Sequence, residues 1–230
     1  MVLLALSGTG AAAHTDRVVW AWERPESLEA LPADIGVALV VGFVRLRGDT
    51  IVVARGRRFA LVVGADRPQP IGVVHIEVDQ SVSLDWTSTL RVQVVGAALS
   101  FASGYRAVQI DMEVRQSQRA ALLDVLTGLR AGLASRTRLS MTALASWCET
   151  EHWLAGAPVD EIVPMLFRMG RDGHRLRDKL AAGGDFSEPG CRSAVGISID
   201  SPMVIPANRR VYIFNPRPWD AATLSALEPR

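Results

Sequence analysis

The chain has 230 residues, 49% of them hydrophobic, enough for one large domain with a real core. Its formal net charge of +1 excludes the electrostatic footprint of a nucleic-acid binder, so no nucleic-acid partner is expected. No run reaches the roughly 18 to 20 apolar residues of a membrane-spanning helix. The first segment, residues 1–16 (MVLLALSGTGAAAHTD), reads as a truncated secretory signal: an apolar core followed by Ala11-Ala12-Ala13, without the basic leader. That reading places the protein in the periplasm or outside the cell; a frayed terminus with no export role is the alternative. Residues 17–230 read as a single domain.

Within it, strand-like runs are expected over 17–22, 36–42, 71–78, 108–114, 138–143, 162–167, 194–199 and 210–214. Helices are expected over 87–102, 117–133 and 174–182. Shorter ones are expected over 149–154 and from 220 to the end. The helix over 117–133 carries an apolar stripe of Ala121, Leu122, Val125, Leu129 and Leu133. Eight strands with helices between several of them fit an α/β fold, a small (β/α)8 TIM-type barrel. Between the second and third strands, residues 43–55 read instead as a hairpin turning at Arg47-Gly48-Asp49-Thr50. Between the seventh and eighth, proline-rich residues 200–209 leave little room for a helix. The barrel is therefore expected to lack helices 2 and 7. A doubly wound open sheet is the competing architecture, although the glycine fingerprint of a nucleotide site is absent.

The segment AVQIDMEV (107–114) concentrates the chemistry. Strand alternation puts Gln109, Asp111 and Glu113 on one face and Val108, Ile110, Met112 and Val114 on the other. Neighbouring carboxyl groups repel, which lets one persist as an acid; a solvated face or a buried carboxylate in a hydrogen-bond network is the plainer explanation. Sites in such barrels lie at the C-terminal strand ends. There the chain offers Trp20, Trp22 and Glu23; His75, Glu77 and Asp79; Phe167 and Arg168; Ser198 and Asp200; and Asn215, Arg217 and Trp219. Polar groups at the same end of six strands argue for a pocket. With Trp147, the tryptophans at strand ends lean toward stacking on a sugar, while each alone reads as core. Glu77 or Asp200 is a candidate nucleophile or base opposite Glu113. No cofactor is implied and no metal site is assigned: Cys148 with His152, and His75 with Glu77, are half-sites at most. Ser198 lacks the second glycine of a nucleophile elbow. Whether Cys148 and Cys191 pair is left open by spacing.

The segments VVWAWERPE (18–26), VQIDMEV (108–114), LSMTALASWC (139–148), VPMLFRMG (163–170) and RVYIFNPRPW (210–219) resemble a bacterial family. It is defined as a domain of unknown function and placed among glycoside-hydrolase-like TIM barrels. The resemblance spans nearly the whole chain and implies the barrel and an export signal. A more distant similarity is to chitinase-type glycoside hydrolases, whose fourth strand carries D-x-D-x-E. The matching positions are Gln109, Asp111 and Glu113, which makes Glu113 the implied general acid and Asp111 its partner. The sixth-strand M-x-Y-D of those enzymes is matched by Met165-Leu166-Phe167-Arg168, without the tyrosine hydroxyl or the carboxylate. The resulting expectation is a glycoside hydrolase-like protein acting on a polysaccharide by carboxylate acid/base chemistry. In this reading Glu113, Asp111, Glu77 and Asp200 are catalytic. Trp20, Trp22, Glu23, Gln109, Trp147, Arg168, Asn215 and Trp219 bind the carbohydrate. The alternative is a non-catalytic carbohydrate- or envelope-binding barrel.

Overall fold

Every expected strand forms, and eight of them close a parallel TIM-type barrel. A computed structural model describes residues 16–64, 67–169, 173–201 and 203–227; the expected signal segment lies almost wholly outside them. The strands are β1 (Arg17–Ala21), β2 (Ser27–Leu28), β3 (Gly36–Arg47), β4 (Thr50–Gly56), β5 (Val62–Val63) and β6 (Ile71–Val78). They continue as β7 (Ala107–Asp111), β8 (Arg138–Leu144), β9 (Glu161–Met165), β10 (Ala194–Ser198) and β11 (Arg210–Phe214). In spatial order the barrel runs β1-β11-β10-β9-β8-β7-β6-β3, and β3 pairs back onto β1 to close it. β4 extends β3 as an antiparallel hairpin, and β2 pairs with β5 in a separate two-stranded ribbon.

Helices cover part of the outside. They are α1 (Ser88–Ala102), α2 (Arg119–Gly132), α3 (Ala145–Glu149), α4 (Gly173–Ala181) and α5 (Ala221–Ser225). The Thr87 hydroxyl caps α1 by accepting the Leu90 N–H at 3.1 Å, satisfying one of the donors a helix start leaves unpaired. On α2 the expected stripe is buried as Ala121, Leu122, Val125 and Leu129, joined by Leu126. These helices pack on the outward face of β6 to β8, where Val74, Ile76, Val108, Ile110, Leu139 and Met141 are buried.

Two differences from the expected elements have physical causes. The helix expected over 149–154 forms earlier in the chain, at α3. Ala145, Trp147 and Cys148 give it its buried side, and His152 at φ 48° blocks a helical continuation. The second strand runs through to Arg47 instead of ending at residue 42, because the hairpin is a direct continuation of it.

The connections after β3 and β10 carry no helix among the described residues, as expected, and neither does residues 22–35 after β1. Two arginines do in these connections what helical backbone bonds do elsewhere. Arg57 donates to the carbonyls of Trp22 (2.8 Å), Phe59 (2.6 Å) and Val40 (3.3 Å). Arg24 donates to those of Asn215, Pro216 and Arg217. Buried carbonyls demand such partners, so the guanidinium forks fix the strand ends of β1, β3 and β11 without helices.

The barrel interior has two sides. Around β10, β11, β1 and β3 it is apolar: Ala194, Tyr212, Phe214, Val18, Trp20, Ala38 and Val40 pack together. Around β6 to β9 the register stacks polar groups in rows. Gln109 stands beside Ser140 and Ser140 beside Glu161, and nearer the C-terminal end His75 stands beside Asp111.

Candidate active site

The site begins with strand parity and one irregularity. On β6 and β7 the alternation Val73-Val74-His75-Ile76-Glu77 and Val108-Gln109-Ile110-Asp111 turns His75, Gln109 and Asp111 inward. On β3 the register against β6 shifts between Val40 and Gly42, leaving Val41 as an extra residue. That bulge reverses the parity of the rest of the strand, so Phe43 pairs beside His75 and Arg45 beside Glu77.

At the C-terminal mouth the His75 Nδ1 lies 2.7 Å from Asp111 Oδ2, and the Thr142 hydroxyl donates to Asp111 Oδ1 at 2.6 Å. Phe43 stacks on the imidazole with ring centroids 5.4 Å apart, and Trp22 meets it edge-on at 5.9 Å. Burial alone would push the His75 pKa down. The hydrogen bond to Asp111 and that carboxylate's charge outweigh it and carry the imidazole above its ordinary value. Burial would likewise push Asp111 up. The bond and charge of His75, the Thr142 bond and the field of Arg168 hold it below the usual carboxylate range. With Nδ1 committed to Asp111, Nε2 is the nitrogen left to meet a ligand.

The other expected carboxylates take different positions. Glu113 lies beyond the end of β7, half exposed, and pairs with Arg168 at 3.2 Å. Glu77 is also partly exposed and pairs with Arg45 at 2.9 Å. Asp200 is exposed and accepts a bond from the Ser198 hydroxyl. Among the described residues, none places a guanidinium or an imidazole on it. Glu23 is tied to Arg55 and to the Arg58 N–H; burial opposes its ionisation, and these partners override it and lower its pKa.

The tryptophans do not share a rim. Trp22 lines the mouth, whereas Trp20 sits one layer deeper, fully buried and stacked on Phe214 at 4.6 Å. Trp147 is buried outside the barrel against Trp153, and Trp219 is buried outside it near β1, donating to the Trp20 carbonyl at 2.8 Å. Gln109 has no exposed surface; it is one layer below Asp111. Arg168 and Asn215 both line the mouth.

The mouth encloses about 540 Å³, lined by Trp22, Phe167, Arg168, Ser198, Asp200 and Asn215 among others. A larger cavity of about 740 Å³ opens at the opposite, N-terminal end, beside Arg106, Ser140, Glu161, Arg210 and Tyr212. There the polar groups satisfy one another: Glu161 accepts from the Tyr212 hydroxyl at 2.6 Å and from the Arg210 guanidinium at 3.1 Å. Polar groups at that end of a barrel serve stability, whereas those at the C-terminal end face ligands.

Sequence reasoning passed over the pairing of His75 with Asp111, and the roles of Thr142 and Phe43. A signal for the first was present in the similar runs VVHIEV (73–78) and QIDMEV (109–114), whose first three residues pair in register on adjacent parallel strands and end on His75 beside Asp111. Cys148 is bonded to Cys191, with Cα atoms 5.9 Å apart, which removes it as a thiolate ligand beside His152. Among the described residues no group of three or more His, Cys, Asp or Glu is placed to hold a metal ion. No helix among them is long and apolar enough to cross a membrane. Comparison with protein-family models, curated proteins and solved structures finds no match to this chain.

Proposed function

We propose that the protein is a glycoside hydrolase-like enzyme that cleaves a polysaccharide at the C-terminal mouth of the barrel. The observation that carries this reading is the Thr142–Asp111–His75 chain, which favours the protonated form of an imidazole packed edge-on against Trp22, a wall of the C-terminal mouth. An imidazole oriented through Nδ1 by a buried carboxylate presents Nε2–H as a proton donor. Glu113, in its ion pair with Arg168, is the carboxylate that takes a proton from water. His75 gives its proton to the glycosidic oxygen as the C–O bond breaks, and water activated by Glu113 adds to the anomeric carbon. Exchange with solvent restores both groups. The roles are thus reversed from those the chitinase similarity implies, because the acid is on β6 and the base just beyond β7.

The test is turnover on a panel of cellulose, chitin, xylan and starch. His75→Gln and Glu113→Gln should each cut kcat by at least about a hundredfold, the usual range for losing acid–base catalysis. Activity should fall as pH rises through the raised His75 value, and Asp111→Asn should move that alkaline limb downward. Turnover unaffected by His75→Gln would sink the mechanism.

A second reading is a non-catalytic carbohydrate- or envelope-binding barrel. It is favoured by the arginines on Glu113 and Glu77, which neutralise two of the four candidate carboxylates. It predicts sugar binding without turnover on every substrate. The Cys148–Cys191 bridge supports a periplasmic or secreted location, since disulfides persist in oxidising compartments.

A further inference from the structure

Besides His75 Nε2, the mouth leaves hydrogen-bonding capacity unused on its β1–β10–β11 side. Asn215 is 1% exposed, yet its Nδ2 has no partner among the described residues. Its Oδ1 accepts the Arg217 N–H at 2.9 Å, which sets the amide's orientation and makes the unpaired group a donor. A buried amide N–H₂ without an acceptor is costly, and native proteins leave few of them. Asp200, by contrast, is an acceptor: Ser198 takes one of its oxygens, and the other meets no donor among the described residues. Trp22 and Phe167 give this side its aromatic surface, and Phe214 lines it below. Arg24 lines it too, but its guanidinium is committed to Glu26 and to three carbonyls.

We propose that this side of the mouth is a monosaccharide subsite that takes an uncharged pyranose, stacked on Trp22, with Asp200 accepting from one hydroxyl and Asn215 Nδ2 donating to a neighbouring one. A hydroxyl both donates and accepts, so an adjacent pair of hydroxyls matches a carboxylate oxygen beside an amide N–H₂. A sugar's C–H face matches an indole ring, as aromatic sides of ligand sites generally match apolar ligand faces. The ionised Asp200 disfavours an anionic sugar in the same place. A cavity of about 540 Å³ is within the size range of small-molecule sites. The subsite rests on the reading of the mouth as a carbohydrate site, and it fixes which side the sugar occupies and which groups read it.

The experiment is saturation-transfer NMR on the full chain carrying His75→Gln, so that binding is scored apart from turnover. The probes are glucose, mannose, galactose, N-acetylglucosamine and glucuronate. Transfer to one or more of the uncharged sugars is expected. Asp200→Asn and Asn215→Ala should each weaken it at least tenfold, and so should Trp22→Ala. Asp200 is exposed, so its variant folds even where the Trp22 variant does not. Transfer to glucuronate alone would put the ligand on Arg168 and overturn the assignment. So would transfer that none of the three substitutions reduces, or no transfer to any sugar. Binding that follows these substitutions in a protein with no turnover would retain the subsite and defeat the hydrolase reading alone.

Discussion

At the scale of single residues, His75 and Asp111 depend on each other more than on anything else nearby. Burial disfavours the charged form of each, and each raises the other's tendency to be charged by more than burial lowers it. The His75 pKa is raised from 6.5 and that of Asp111 lowered from 3.8, so their stabilising contributions have opposite pH limits. The His75 part is complete below its unfolded value and is lost as pH rises through the raised folded value. The Asp111 part is complete above its unfolded value and is lost as pH falls through the lowered one. Between about pH 4 and 6.5 both operate, bracketed by the unfolded values. The difference in melting temperature between the wild type and His75→Gln should be largest in that window and shrink on either side. A flat difference across pH would mean the pair is not charged. Asp111→Asn removes the carboxylate and leaves the burial, so the His75 midpoint followed by NMR should drop below 6.5. The same change should cost about 1–3 kcal/mol in urea unfolding, the range for stranding a buried hydrogen-bond partner.

At the scale of elements, close approach of α1 and of the turn that follows it to the sheet depends on glycines. A Cβ at Gly42 of β3 would stand 2.4 Å from the Phe101 ring, and one at Gly72 of β6 would stand 2.7 Å from the Tyr105 ring. Both aromatic rings are large and held against the sheet, so neither can yield cheaply. Gly42→Ala and Gly72→Ala should each destabilise by about 1–3 kcal/mol, the cost of overpacking, read as a lower urea midpoint at unchanged slope. Strands and long helices were legible because their periodicities of two and 3.6 are written in the residues, as in Val108-Gln109-Ile110-Asp111 and the α2 stripe. The bulge at Val41 was not, since an extra residue in one strand is defined only against the register of its partner. Nor was the start of α3 at Ala145. LSMTALASWC is apolar almost throughout, and where strand gives way to helix is decided by the packing of Trp147 on Trp153 rather than by any periodicity.

At the scale of the whole molecule, the barrel followed from eight strand-like runs, but the site needed the order and register in which they meet. His75 and Asp111 are 36 residues apart in the chain and come within 2.7 Å because β6 and β7 are parallel neighbours. The same dependence on closure explains why four tryptophans near strand ends gave only one at the mouth: Trp147 and Trp219 fall on the outer face once the strands curl into a cylinder. Closure also brings Cys148 and Cys191 together. The bridge ties α3, after β8, to the turn before β10, and so spans β9 across 43 residues of chain. Alongside it the Glu188 N–H donates to the Cys148 carbonyl at 2.9 Å, and Lys179 of α4 pairs with Glu149 at 2.6 Å. This sector is covered by the short helices α3 and α4 rather than by long ones, which makes a covalent tie useful there. Loop-closure entropy for that length is about 4 kcal/mol, an upper figure where the reduced chain keeps residual structure. Reduction, or Cys148→Ser with Cys191→Ser, should therefore cost about 2–4 kcal/mol and lower the melting temperature by roughly 5–15 °C. Because His75 and Asp111 are on β6 and β7, outside the tied segment, the His75 titration in the still-folded double variant should be unchanged. A shifted His75 midpoint would instead mean that the bridge sets the geometry of the mouth.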